Sequence, residues 1–228
     1  MGVPEVILGE GKSPEHLVGI LRALRRRGLG ALVSRPTAEQ RRRFRARTLA
    51  GLRLRELAGG RLWRLEGPLE VSYRPGTVAV VTAGTSDVPL AEEARALLEE
   101  LGIGVVHAYD VGVAGLHRLL RALERLDRHA PEIYLVFAGR EGALATVVAG
   151  LVRAPVVGVP TSVGYGRGGK GEAALGAMLQ SCAPIAVVNI DAAVPAALFA
   201  AQHFARRGRP SRGAGRARRL PTGRSRRR

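Results

Sequence analysis

The chain has 228 residues, a net charge of +17, a single cysteine and few aromatic residues. No apolar run approaches the roughly 18–20 residues of a membrane helix, the opening MGVPEVILGEGKSPE lacks a signal-peptide pattern, and one thiol closes no internal disulfide, so a cytoplasmic protein without a membrane partner is expected. Eleven arginines and no acid lie in residues 205–228, so +17 falls to +6 without them; with almost no apolar content, residues 206–228 read as a disordered Arg-rich tail, and nucleic acid is not the expected partner.

Residues 1–70 read as a small N-terminal α/β region. Pro4 to Gly9 is a short strand. Ser13 followed by Pro14 is a helix start, with Ser as N-cap and Pro at the first helical position. The helix LVGILRALRRRG stops at Gly28, and ALVSR is a second strand. Thr37-Ala38-Glu39-Gln40 opens another helix with a capping-box pattern. Its basic continuation, RRRFRARTLAGLRLREL, reads as a solvated helix face. Residues 61–76, with Trp63, Pro68 and Pro75, read as a linker.

From Thr77 the pattern is regular, and a catalytic domain over residues 71–205 is expected. TVAVVTAG, IGVVHAY, EIYLVFAG, VVGVP and PIAVVNI are strand-like, and each is followed by a helix. Such alternation implies a parallel sheet covered on both faces. Five strands suit a flavodoxin-like doubly wound α/β fold with three α/β/α layers. Ligands bind such sheets outside the carboxyl ends of the strands, and the polar clusters fall there. They are Gly84-Thr85-Ser86-Asp87, Tyr109-Asp110, Gly139-Arg140-Glu141-Gly142, the run from Pro160 to Gly166, and Asn189-Ile190-Asp191.

In the strand order 2-1-3-4-5, Asp87 and Glu141 share one crevice beside the glycine loop. Two carboxylates near phosphate-suited loops point to an acid–base or metal-assisted site on a phosphorylated substrate. Thr85, Ser86, Ser162, Gly164, Tyr165, Gly166 and Lys170 are the candidate phosphate and substrate contacts. Each also has a plainer reading. Asp87 suits a helix cap, and Glu141 suits a helix dipole. Lys170 suits solvent, and His117 suits packing within its helix. Cys182 closes the helix after the glycine loop, where the dipole opposes a thiolate. A lone cysteine there is ordinarily a small apolar residue.

Several segments together resemble the LarB family: AGREGALATVVAGLVRAPVVGVPTSVGYG, EAALGAMLQSCAPIAVVNID, VVTAGTSDVPLAEEA, DVGVAGLHRLL and the opening PEVILGEGKSPEHLV. The resemblance covers nearly everything before the last two dozen residues. It implies a PurE-like fold, similar to the aminoimidazole ribonucleotide carboxylases. It also implies carboxylation of nicotinic acid adenine dinucleotide at C5 of the pyridinium ring, with hydrolysis of the phosphoanhydride. The products would be AMP and pyridinium-3,5-biscarboxylic acid mononucleotide, a precursor of the nickel-pincer nucleotide cofactor.

By the same resemblance Cys182 matches the family's covalent nucleophile and Glu141 the glutamate of its AGxEGA motif. Carbon dioxide or bicarbonate is the implied co-substrate. Asp87 and Glu141 become candidates for proton transfer or for Mg2+ on the diphosphate, with no organic cofactor. A homo-oligomer is implied, an octamer by the PurE likeness. The chain departs from the family at Arg140, where methionine is usual, in the RGGKGE continuation of the loop, and in AAVPAA after VVNID. Two alternatives stand beside this reading. One is a PurE-type carboxylase or mutase acting on aminoimidazole ribonucleotide, whose motif histidine aligns with Ala143. The other is a nucleotide-binding regulator without catalysis, which would not need Cys182.

Overall fold

The structure, a computed structural model, describes residues 4–46 and 52–205. The chain folds into two sheets joined by a linking segment. The first has the order β1-β2-β4-β3, from β1 (Val6–Leu8), β2 (Ala31–Ser34), β3 (Leu54–Leu57) and β4 (Leu62–Leu65). Helices α1 (Pro14–Arg26) and α2 (Ala38–Ala46) complete this region. Their starts are the expected ones. Ser13 Oγ accepts from His16 N (3.2 Å), with Pro14 opening the helix. Thr37 and Gln40 bond reciprocally, through Gln40 N to Thr37 Oγ1 (3.2 Å) and Thr37 N to Gln40 Oε1 (2.8 Å).

Two expectations fail in this region. The basic helix does not continue to Leu57, because Leu54–Leu57 is a strand paired antiparallel with β4. The segment 61–76 is not all linker, since β4 lies centrally in its sheet with Leu62, Trp63 and Leu65 buried. The LRLREL and LWRL runs are short and Arg-interrupted, so no period identified them. Their pairing with each other and with β2 makes them strands. The expected tail, 206–228, lies outside the described residues.

The second sheet has the order β6-β5-β7-β8-β9, all parallel. Its strands are β5 (Thr77–Thr82), β6 (Gly104–Ala108), β7 (Ile133–Ala138), β8 (Val156–Pro160) and β9 (Ile185–Val187). Each is followed by a helix: α3 (Val88–Glu100), α4 (Leu116–Asp127), α5 (Ala143–Leu151), α6 (Glu172–Leu179) and α7 (Ala193–His203). This is the doubly wound three-layer fold, with the first and third strands adjacent. Helices α4, α5 and α6 pack on one face and α3 and α7 on the other. The central strands β7 and β8 are buried throughout, as near-continuous apolar runs must be when helices cover both faces. β9 lies at the edge, where the order 2-1-3-4-5 places the fifth strand, and is only partly buried.

The N-terminal sheet docks on α3 through a buried ionic contact. Glu93, fully buried on α3, accepts from Ser34 Oγ (2.5 Å) and from Arg61 Nε (3.0 Å). Glu100, farther along α3, meets Arg55 and Arg64 at 2.7 and 3.2 Å. The linking segment ends against α7, with Arg74 N donating to the Phe204 carbonyl (2.8 Å). Among the described residues no helix is long and apolar enough to cross a membrane.

Candidate active site

A cleft of about 620 Å3 opens outside the carboxyl ends of β5, β6 and β7. It lies at the switch point of the sheet, where the chain leaves β5 and β7 in opposite directions. The cleft is lined by residues 83–87, Asp110, 112–114, 138–141, Ala143, Leu144 and 163–165. It therefore gathers Thr85, Ser86, Asp87, Glu141, Gly164 and Tyr165. Ser162, Gly166, Lys170 and Cys182 are not among its lining residues. The turn leading into α3 and the amino end of α5 both open onto it, so backbone N–H groups favour an anion there.

Asp87 is the buried carboxylate of the cleft. Its Oδ2 accepts from Gly84 N (2.8 Å), which closes the short turn Thr85–Asp87; the side chain makes no cap to the N–H groups of α3, the role expected of it. Its Oδ1 accepts from Thr161 Oγ1 (2.6 Å), a fully buried hydroxyl beyond β8. Burial pushes its carboxyl above the ordinary range, while the hydrogen bonds from Thr161 and Gly84 pull the other way. The carboxylate thus closes the turn before α3 and lines the cleft. Thr161 was legible only as one member of the cluster after β8, and nothing in sequence joined it to Asp87, 74 residues away.

Glu141 lies at the mouth, with its side chain 63% exposed and 3.9 Å from Arg140. The Arg140 guanidinium lies 5.1 Å from the centre of the Tyr165 ring, so the residue that departs from the family pattern forms the cleft's cationic lip. Close packing behind the lip requires glycine. A Cβ on Gly139 would lie 2.1 Å from the Val163 carbonyl oxygen, and one on Gly164 would lie 2.4 Å from that of Gly168. Arg140, Asp110, Lys170 and Asp191 all take left-handed backbone angles, φ between 51° and 60°. Four such residues at one end of a sheet mark turns held by their surroundings rather than by preference.

Asp191, beyond β9, accepts from Ser162 N (2.8 Å) and presents its carbonyl to Arg35 of the N-terminal region. Ser162 and its neighbours thus brace the loop behind the cleft. The two carboxylates lie in different settings. Both oxygens of Asp87 already accept hydrogen bonds from the protein, Glu141 projects into solvent, and no group of three His, Cys, Asp or Glu gathers as a metal site among the described residues. A buried, partly desolvated carboxylate beside an open anion cradle suits proton transfer.

Cys182 is exposed, three residues past the end of α6. The expected closing position is therefore slightly beyond the helix, and the thiol does not reach the cleft of its own chain.

A family model for AIR carboxylase matches residues 77–219, and one for the LarB/PurE-like N-terminal domain matches residues 1–58. An uncharacterized protein of Methanocaldococcus jannaschii is 38% identical over 202 residues, covering 87% of this chain and 78% of its own. The N5-carboxyaminoimidazole ribonucleotide mutase of Pyrococcus horikoshii is 33% identical over 129 residues, 54% of this chain and 69% of its own. Among solved structures, PurE of Treponema denticola is 28% identical, covers 57% of this chain and 80% of its own, and superposes with a TM-score of 0.45.

Proposed function

Because the chain belongs to the LarB family of PurE-like, AIR carboxylase-related proteins, we propose that it carboxylates the pyridinium ring of nicotinic acid adenine dinucleotide at C5. Hydrolysis of the phosphoanhydride accompanies that step, giving AMP and pyridinium-3,5-biscarboxylic acid mononucleotide. The observation that carries the proposal is the pairing of a LarB-type N-terminal domain with a PurE-like domain holding one cysteine, Cys182.

The chemistry asks for the residue types present. A pyridinium is too electron-poor to attack carbon dioxide. A thiolate adding at the carbon para to nitrogen forms a C–S bond and sends an electron pair to nitrogen, which leaves C5 as the nucleophilic end of an enamine. C5 then bonds to carbon dioxide. A base takes the C5 proton, the C–S bond breaks with its pair returning to sulfur, and the ring regains aromaticity. Asp87 is the base in this scheme. A buried carboxyl whose proton affinity is raised is better suited to that task near neutral pH than a solvated one. Thr161 holds its carboxylate in place. The amino ends at α3 and α5, with Thr85 and Ser86, take the anionic groups of the substrate, and Arg140 and Tyr165 close over it. Glu141 at the mouth assists proton exchange with solvent. Magnesium would enter on the substrate's diphosphate.

The second reading is a PurE-type activity on aminoimidazole ribonucleotide, favoured by the relatives that carry that name. Its substrate is already an enamine and leaves Cys182 without a task. One experiment separates the two. Purified protein with nicotinic acid adenine dinucleotide, Mg2+ and bicarbonate should release AMP and a doubly carboxylated mononucleotide by mass spectrometry. Cys182→Ser should reduce carboxylation by orders of magnitude while leaving the fold intact. Turnover of aminoimidazole ribonucleotide in place of the dinucleotide would overturn the proposal.

A further inference from the structure

The N-terminal region reaches the loops behind the cleft of its own chain through Arg35. This residue follows β2 with a left-handed φ of 50°, and its N–H donates to the Arg61 carbonyl (2.8 Å). Its guanidinium crosses to the second sheet, where Nη2 donates to the Asp191 carbonyl. Asp191 follows β9 and is left-handed too, with φ 55°. Such residues stay there only where their surroundings hold them. Asp191 N is held by the Pro160 carbonyl (2.9 Å), and the Asp191 carbonyl by Ala193 N (3.0 Å) and Arg35.

Asp191 passes this restraint to the loop after β8, because its Oδ1 accepts from Ser162 N (2.8 Å). The residues on either side of Ser162 serve the cleft. Thr161 Oγ1 donates to Asp87 Oδ1 (2.6 Å), and the Val163 carbonyl accepts from Arg140 N (3.1 Å). Three consecutive residues are thus fastened to the turn before α3, the turn after β9 and the turn after β7. The charge of Asp191 also acts on Asp87, favouring its protonated form. On its outer side Asp191 borders a cavity of about 320 Å3, whose other charged lining residues are Glu10, Arg35, Arg41 and Arg61. Arg35 bonds across this cavity, while Glu10, its other side-chain neighbour, stands 3.7 Å away and is exposed.

We propose that Arg35 and Asp191 are positioning residues for the cleft of the same chain. The N-terminal region fixes Asp191 through Arg35, Asp191 fixes Ser162, and the loop so fixed presents the Thr161 hydroxyl to Asp87. This rests on the reading of Asp87 as the base, and it gives the N-terminal region a task in catalysis.

Two measurements test it, and the first needs no turnover. In the full chain without substrate, selective 13C labelling of aspartate reports the Asp87 carboxyl. Asp191→Asn keeps the acceptor for Ser162 N and removes the charge, so the Asp87 titration should move to lower pH. Arg35→Ala keeps that charge and loosens the loop, so Thr161 donates less well and the titration should move to higher pH. Asp110, Arg140 and Glu141 in the cleft, and Glu10, Arg41 and Arg61 around the cavity, are the same in both variants. A general loss of stability would not move the two titrations in opposite directions. Shifts in one direction, or none in Arg35→Ala, would overturn the proposal.

The second measurement is kinetic. In Arg35→Ala kcat for carboxylation should fall about 10- to 100-fold with KM for the dinucleotide within about twofold, because a loosened base costs rate rather than binding. Arg35→Lys still donates to a carbonyl and should recover most of the loss. Adding Arg35→Ala to Asp191→Ala should cost little beyond Asp191→Ala alone, since both cut one chain of contacts. Losses that multiply would overturn the proposal. Absence of carboxylation in the wild type, with the opposite titration shifts intact, would refute the assigned reaction and leave the positioning standing.

Discussion

Thr161→Val tests whether Asp87 is the base. The substitution keeps the shape of a fully buried side chain and removes the hydroxyl that donates to Asp87 Oδ1 at 2.6 Å. A hydrogen bond to a charged group contributes about 1.5–3 kcal/mol. At 1.36 kcal/mol per pKa unit, losing it should raise the proton affinity of Asp87 by about 1–2 units. The direction follows from the balance already present, in which burial raises the carboxyl and Thr161 lowers it. The acidic limb of the pH–rate profile for carboxylation should therefore move up by that amount, with kcat recovering well above the limb. Selective 13C labelling of aspartate should show the same shift at the Asp87 carboxyl without substrate. The variant's stability deficit should be present above the Asp87 pKa and shrink as pH falls and the carboxyl protonates, because only the ionised form misses the donor. An unchanged limb with a shifted NMR titration would show that Asp87 is not the base; if neither moved, the Thr161 contact would carry no electrostatic weight.

The remaining predictions concern the frame around the site. Gly139→Ala should lower the melting temperature and empty the cleft of function together, since a Cβ there meets the Val163 carbonyl at 2.1 Å and the backbone must shift at a cost of about 1–3 kcal/mol; normal melting and activity would contradict the close packing. Arg61→Ala leaves buried Glu93 with only Ser34, and because Arg61 is one-third exposed the expected loss is about 2–4 kcal/mol, or about 5–15 °C in Tm by calorimetry. A change under about 2 °C would mean that the contact does not anchor the N-terminal sheet. The Arg74 guanidinium holds the Glu132 carboxyl down at about 2, with His203 assisting. Its stabilisation is present above about 4.5, the ordinary carboxylate value, and is lost as pH falls toward 2. The difference in unfolding free energy between wild type and Arg74→Met should accordingly narrow from pH 5 to pH 2, and a constant difference would refute the linkage.

The parallel sheet was legible from the residues alone, because strands buried on both faces must be continuous apolar runs and each is separated from the next by a helix-length segment. IYLVFA and VVGVP admit no other reading once five such units repeat. The caps at Ser13 and Thr37 were legible for a similar reason, since they are satisfied by atoms three residues away. LWRL and LREL were not, because a strand that short is made by its partners in space. The strand order placed Asp87 and Glu141 in one crevice, but only the tertiary structure showed that one is buried and the other open to solvent. It alone brought Thr161 to Asp87, and it alone set Cys182 toward the far end of α6 from the cleft. Local hydrogen bonds and hydrophobic periods are properties of neighbouring residues and can be read along the chain. Burial, electrostatic environment and the separation of Cys182 from the cleft depend on residues distant in sequence, and are decided only when the layers pack.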